Sequence, residues 1–196
     1  MSFDFKNDPI DNFLKLYKAA QVKGVPEANA MALATVSKEN QPSVRIVFYK
    51  GMSNGGFSFF TNYQGRKAQD IESNNKVSAN FFWPNLDEQV RVEGVVEKLS
   101  REESEKYFAT RSRLSQIGAW TSHQSEKIES FAAIEKKLES LIAKFEGQPV
   151  PCPPHWGGYR INPTEIEFWF GKIGRLHERN VYKKIANGWE RFLRSP

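Results

Sequence analysis

Between Ala30 and Ser100 the chain reads as one short strand after another. "AMALATVS" (30–37), "PSVRIVFYK" (42–50), "FSFFTN" (57–62), "KVSANFFW" (76–83) and "EQVRVEGVVEKLS" (88–100) are rich in β-branched and aromatic residues. In the second run Val44, Ile46 and Phe48 fall on one side, and Arg45, Val47 and Tyr49 on the other. "MSNGG" is a turn between the second and third runs, and the interior Gly94 marks a bulge. Only one short polar helix, "GRKAQDIESN" (65–74), interrupts the series. There is no regular strand–helix alternation of the kind that builds parallel sheets. The pattern predicts a mainly β, α+β fold: an antiparallel barrel, closed or nearly so, with helices packed outside it.

The flanking segments complete a single domain over 1–196. A first helix spans 8–24, with Asp8 as cap, Pro9 in the first turn and Gly24 as stop. Its predicted inner face is Ile10, Phe13, Leu14 and Tyr17. A helical insert covers 101–147. Ser100 and Glu103 form a capping box for "REESEKYFATR". A long helix follows from Ser125, with Phe131, Ile134, Leu138, Leu141 and Phe145 along one stripe. Prolines at 149, 151, 153 and 154 make an extended connector. The last strands, within 155–196, are "GGYRINPTEIEFWFG" and "RNVYKKIANGWERFL", the latter folding back at Asn187-Gly188.

Composition narrows the function. Hydrophobic residues at 39% and charged residues at 26% are those of a globular chain, and 15 Phe with 5 Trp can fill a barrel. The net charge of +5 suits small anions such as phosphates, while its even spread argues against a nucleic-acid arm. Cys152 is the only cysteine, which excludes an intrachain disulfide and fits a reducing compartment. The N-terminus lacks the features of a secretory signal, and no apolar run approaches the roughly 20 residues of a membrane span; the expected location is the cytoplasm. The three histidines (123, 155 and 177) lack metal-ligand spacing, so no metal is expected. Nor is there a P-loop, a G-x-S-x-G or a dinucleotide fingerprint.

What remains is a set of cations and hydroxyls. Arg66 and Lys67 open a helix whose positive dipole end they oppose, an arrangement that favours a bound anion. Arg45 and Lys50, five apart, fall on opposite faces of an ideal strand. In "YFATRSRLSQIGAW" helical spacing puts Tyr107 and Arg111 on one face with Ser115 a turn later, a set suited to phosphate. Ser125 reads first as the cap of the long helix. In "GRLHER" a strand would project Arg175, His177 and Arg179 on one face.

Taken in order, "RIVFYK", "FFTNYQGRKA", "EQVRVEG", "KYFATRSRLSQIGAW", "SHQS", "PPHWGGYRINPTEIEFWFG" and "RLHER" resemble the pyridoxine (pyridoxamine) 5′-phosphate oxidases from about Ala30 almost to the C-terminus. The resemblance implies an FMN-binding split barrel and a homodimer with FMN at the subunit interface. It implies an FMN site made of Arg45, Ile46, Val47, Phe48, Tyr49, Lys50, Phe60, Thr61, Arg66, Lys67, Gln89, Gln124, Ser125, Trp169 and Arg179. It assigns the substrate phosphate to Lys50, Tyr107, Arg111 and Ser115, and places Arg175 and His177 over the substrate's pyridine ring as the catalytic pair. The implied reaction oxidises pyridoxine or pyridoxamine 5′-phosphate to pyridoxal 5′-phosphate. A hydride passes from C4′ to flavin N5, and dioxygen becomes hydrogen peroxide. Some positions depart from the family pattern. Phe170 stands where Gln is usual and Glu178 where Asp is usual; Ser112 and Leu114 alter a turn beside the phosphate set; and "WERFLRSP" differs from the common C-terminal ending.

Overall fold

The structure, a computed structural model, describes residues 3–122 and 124–196; Met1, Ser2 and His123, one of the three histidines, lie outside the described residues. Among the described residues nine strands form the sheet: β1 (Ala30–Val36), β2 (Pro42–Phe48), β3 (Met52–Ser53), β4 (Gly56–Asn62), β5 (Lys76–Trp83), β6 (Glu88–Lys98), β7 (Trp156–Phe170), β8 (Glu178–Ile185) and β9 (Gly188–Leu193). Five α-helices accompany them: α1 (Pro9–Val22), α2 (Arg66–Ser73), α3 (Arg101–Ala109), α4 (Arg113–Thr121) and α5 (Phe131–Lys144). Every strand pair is antiparallel, in the order β2-β1-β5-β6-β7-β4-β3, with β8 on β7 and β9 on β8. Lys50 N–H donates to Ser58 O at 2.9 Å and Ser58 N–H to Gly51 O at 3.0 Å, which ties β4 back to the segment after β2. These bonds complete the barrel.

β7 organises the molecule. One edge pairs with β6 over Tyr159–Phe170; the other pairs with β4 over Trp156–Ile161 and with β8 over Glu165–Phe170. The ladder divides at Pro163, which has no N–H to donate and sits opposite the register shift at Glu93/Gly94. The bulge expected at Gly94 is therefore present. The hairpins also form where expected: Asn54 and Gly55 take the positive φ of 45° and 77° that a tight turn requires, and Gly188 has φ 107°.

The barrel interior is aromatic. Phe13 of α1, fully buried, packs against Tyr49, Phe57 and Phe81 at centroid distances of 5.3, 4.8 and 4.9 Å, closing one end. Asp8 caps α1 by accepting from Ile10 N–H, and Gly24 follows its end at φ 71°. The inner face differs from the predicted one. Asn12, Leu16 and Ala20 join Phe13 inside, while Leu14 is 40% exposed, because the barrel mouth selects a stripe offset from the purely apolar one. A second cluster of Phe108, Ile117, Phe145, Val150 and Trp156 fixes the insert against β7. The α3 capping box forms as expected.

The long helix is shorter than predicted. It begins at Phe131, capped by Ser130, and Phe131 is 79% exposed. Only the C-terminal part of the stripe, from Leu138, reaches the second cluster. Ser125 is not its cap. At φ 73° it accepts from Arg66 N–H at 3.2 Å, capping α2 from outside, where Gly65 offers no side chain.

Candidate active site

A cavity of about 670 Å³ opens where the end of β2, the end of β4, the start of α2 and the α3–α4 corner meet. Among the described residues four cations line it, Arg45, Lys50, Lys67 and Arg111, and no carboxylate does. Arg45 and Lys50 share the cavity despite their odd spacing because β2 ends at Phe48, after which strand alternation no longer applies. Along β2 Arg45 and Val47 are the more buried, while Val44, Ile46 and Phe48 are exposed at 68%, 61% and 41%; Ile46, Val47 and Phe48 line the cavity together with Arg45.

Lys67 Nζ donates to Gln124 Oε1 at 2.5 Å and to Thr61 Oγ1 at 3.1 Å. Burial and the nearby charge of Arg45 both hold its ammonium below the usual lysine range. Burial likewise lowers Arg45, with Asp70 opposing and Arg66 adding to the effect. Arg66 itself is exposed and is not among the lining residues.

The other end of the cavity is an aromatic stack. Phe60 lies on Tyr107 at a centroid distance of 3.9 Å and on Trp156 at 5.6 Å. The Arg111 guanidinium sits 4.6 Å from the Trp156 ring centroid. Its Nη1 is buried without a hydrogen-bond partner among the described residues, and burial lowers the group's pKa. Tyr107, Arg111 and Ser115 do converge here, though not on one helix. α3 ends at Ala109 and α4 starts at Arg113, so Arg111 lies in the corner between them. "WGG" also finds its reason. A Cβ on Gly158 would meet Leu99 Cδ1 at 2.6 Å and Phe60 Cε1 at 2.7 Å, so only glycine lets β4 and its stacked ring lie this close.

Gln89, Trp169 and Arg179 form a lateral row across β6, β7 and β8, and none of them lines this cavity. Neither do Tyr49, Ser125, Arg175 or His177. Phe60 pairs with Gly158, and Trp169 lies farther along β7, about 36 Å of strand at roughly 3.3 Å per residue.

"GRLHER" is not a strand throughout. Residues 173–175 form a 3-10 turn, Gly174 and Arg175 have φ of 71° and 61°, and β8 starts only at Glu178. The glycine-led turn breaks the alternation, so Arg175 stands exposed on the loop. The His177 ring packs on Trp169 at 4.6 Å, and its Nδ1 accepts from Lys172 N–H at 3.2 Å. That bond assigns the proton of neutral His177 to Nε2. Arg179 is clamped by Glu167, Nε to Oε1 at 3.1 Å and Nη2 to Oε2 at 2.8 Å. Burial pushes the Glu167 carboxyl up, but hydrogen bonds from Arg179 and Arg194 and the charges of Arg179 and Arg91 outweigh it and hold it below the usual carboxylate range.

The cavity also takes Asn62, Gly118, Ala119, Ser122 and Trp156, which carry no site signal of their own in the sequence. Asn62 adjoins Thr61, and Trp156 opens the quoted "WGG", so adjacency was the available signal.

Residues 17–145 match the family described as pyridoxamine 5′-phosphate oxidase, and residues 156–196 match the pyridoxine 5′-phosphate oxidase C-terminal dimerisation region. The chain belongs to the pyridoxamine 5′-phosphate oxidase family. A relative from Bdellovibrio bacteriovorus, named pyridoxine/pyridoxamine 5′-phosphate oxidase, is 53% identical over 99% of this chain and 100% of its own length. One of the same name from Rubrobacter xylanophilus is 49% identical over 96% of this chain and 87% of its own. Among solved structures, PhzG from Burkholderia lata, in complex with tetrahydrophenazine-1-carboxylic acid, superposes with TM-score 0.94 at 28% identity, covering 100% of this chain and 98% of that one. A pyridoxamine 5′-phosphate oxidase-related, FMN-binding protein from Nostoc punctiforme shares the fold at TM-score 0.78 and 16% identity, over 98% of this chain and 100% of that one.

The chain is thus an oxidoreductase with the FMN-binding split-barrel fold, FMN is its cofactor, and it carries the family's dimerisation region. The cavity fits that cofactor: adjacent desolvated cations, Arg45 and Lys67, have hydroxyl and amide neighbours and no carboxylate on the cavity wall. Among the described residues no helix is long and apolar enough to cross a membrane.

Proposed function

We propose that this chain oxidises pyridoxine 5′-phosphate and pyridoxamine 5′-phosphate to pyridoxal 5′-phosphate. The observation that carries the reading is Arg111 Nη1: a buried donor with no partner among the described residues, over an aromatic wall, beside Tyr107, Ser115 and Lys50. An unpaired buried donor costs about 1–3 kcal/mol, and a substrate phosphate oxygen would relieve it. Arg45, Lys67, Thr61 and Gln124 would hold the FMN phosphate end, with Arg66 and Ser125 adjoining at the head of α2. When bound, FMN would supply the acceptor for the hydride from substrate C4′ and the route by which electrons reach dioxygen.

The protein's own part is orientation. Lys50, Tyr107, Arg111 and Ser115 fix the substrate by its phosphate, which converts an encounter into a positioned transfer. Arg175 and His177 act at the ring end: Arg175 orients the pyridine, and His177 offers its Nε2 for proton handling. Since Gln89, Trp169, Arg175, His177 and Arg179 stand apart from the cavity on one chain, the reading has them completing the site of a second copy. The exposed apolar stripe Val44, Ile46 and Phe48 would be covered in that pairing, with FMN at the interface.

The test is anaerobic mixing. FMN-loaded protein should bleach with pyridoxine 5′-phosphate and stay yellow with unphosphorylated pyridoxine at equal concentration. Equal bleaching by both would remove the phosphate reading; no bleaching by either would remove the activity. Admitting air should restore the colour and release hydrogen peroxide.

A further inference from the structure

The Arg45 guanidinium is not free to move in the cavity wall. Nη1 donates to Thr35 Oγ1 at 2.6 Å and to Leu33 O at 3.2 Å, and Nη2 donates to Ser43 Oγ at 2.8 Å. Thr35 Oγ1 lies in turn 2.6 Å from Asp70 Oδ2, and Asp70 Oδ2 lies 3.6 Å from Arg45 Nη2. The direction of this chain is fixed by chemistry. A guanidinium only donates and a carboxylate only accepts, so the single hydroxyl proton of Thr35 points to Asp70 and its lone pairs face Arg45.

Both relay members are inside the protein, Thr35 fully buried and Asp70 at 4% exposure. Asp70 sits on α2, one turn beyond Lys67, and faces β1 rather than the cavity. A buried carboxylate is costly unless its partners are well placed. An apolar residue would fill the contact between α2 and β1 without that cost. The chain instead keeps a charge whose neighbours are Thr35 and Arg45.

We propose that Asp70 is a positioning residue for the cofactor phosphate: through Thr35 it locks the Arg45 guanidinium in place, so that the anion meets a preassembled donor. The benefit is preorganisation, because a side chain already ordered loses less freedom when the phosphate arrives. The carboxylate stands behind Arg45 and off the cavity wall, so its own repulsion of the phosphate is blunted by the guanidinium between them. The inference rests on the reading of Arg45 as a ligand of the FMN phosphate.

The experiment titrates protein stripped of flavin with FMN and, separately, with riboflavin, which lacks the phosphate. Binding is followed by flavin fluorescence. Asp70→Asn and Thr35→Val should each weaken FMN about tenfold, equivalent to about 1.4 kcal/mol, and leave riboflavin unchanged within about twofold. Thr35→Ser, which keeps the hydroxyl, should restore FMN affinity. Adding Asp70→Asn to Arg45→Ala should cost nothing further. FMN binding that is unchanged or tighter in both Asp70→Asn and Thr35→Val overturns the proposal, as does an equal loss for the two flavins. If Arg45→Ala itself fails to weaken FMN selectively, the reading of Arg45 is at fault instead. If Asp70→Asn does not fold, the contrast between Thr35→Val and Thr35→Ser decides the matter alone.

Discussion

Replacing Arg111 by Met separates what the residue does for function from what it does for the fold. Met keeps much of the stem and removes the charge. Two stability effects oppose one another. Removing a buried donor that has no partner relieves about 1–3 kcal/mol. Losing the guanidinium from the face of Trp156, 4.6 Å away, costs about 0.5–2 kcal/mol. The net is a gain of about 1 kcal/mol, which for a chain of 196 residues raises Tm by about 2–4 °C. Catalysis moves the other way. A hydrogen bond from a charged donor to the substrate phosphate contributes about 1.5–3 kcal/mol, so KM for pyridoxine 5′-phosphate should rise about 10- to 150-fold. If the phosphate contact is equally strong before and during hydride transfer, kcat stays within about twofold. The assays are a thermal melt of the flavin-free protein and steady-state formation of pyridoxal 5′-phosphate by absorbance. An unchanged KM, or a fall in kcat with KM intact, refutes the phosphate reading. A Tm that drops refutes the account of Nη1 as an unsatisfied donor.

Other perturbations probe the rest of the site. Arg175→Ala and His177→Ala should each lower kcat/KM by about tenfold or more while FMN retention stays unchanged, since removing a directional contact costs roughly 1–3 kcal/mol; wild-type kinetics in both would remove them from the active site. Glu167→Gln bears on acid stability. The folded carboxyl lies below its ordinary value, so the unfolded chain binds more protons, and stability is present above the unfolded pKa of about 4.3 and lost as pH falls through the folded one. Urea midpoints measured at neutral and acid pH should therefore converge in the variant, and an undiminished pH slope counts against the Arg179–Glu167–Arg194 clamp. Gly158→Ala would push Phe60 off Tyr107, destabilising the fold by about 1–3 kcal/mol and raising KM for the phosphate substrate; a melt and KM both matching the original chain would contradict the close approach of β4 and β7.

Much of the fold could be read because its signals are local. Alternation in "PSVRIVFYK", the Ser100–Glu103 box, Asn-Gly at 187–188 and the bulge glycine at 94 each depend on neighbours a few residues away. Errors arose where tertiary partners decide. The cap on Arg66 comes from Ser125, 59 residues away in sequence. Periodicity points Leu14 inward, but the barrel mouth accepts Leu16 and Ala20 instead. For "GRLHER" alternation shows only what a strand would project; the left-handed backbone at Gly174 and Arg175 is a loop property that periodicity does not encode. For the site, the cations were visible as residue types, and the resemblance put them in order. Their supports, Asp70 behind Arg45 and Glu167 behind Arg179, were not visible, because a buried carboxylate looks like a surface one until the strands are paired.

β7 serves as a ruler. Its first residues hold Phe60 beside the cavity and its last ones carry Trp169 against His177, with one unbroken 15-residue strand between. The separation of these two stations is therefore set by chain length and not by a flexible joint. Deleting one residue between them would turn Trp169 to the opposite face of the sheet. Deleting two would keep the face but draw Trp169 about 6.6 Å closer, more than a hydrogen bond or a stacked ring can absorb. Substitution can retune either station separately, whereas a change of length in this strand would mis-set both at once.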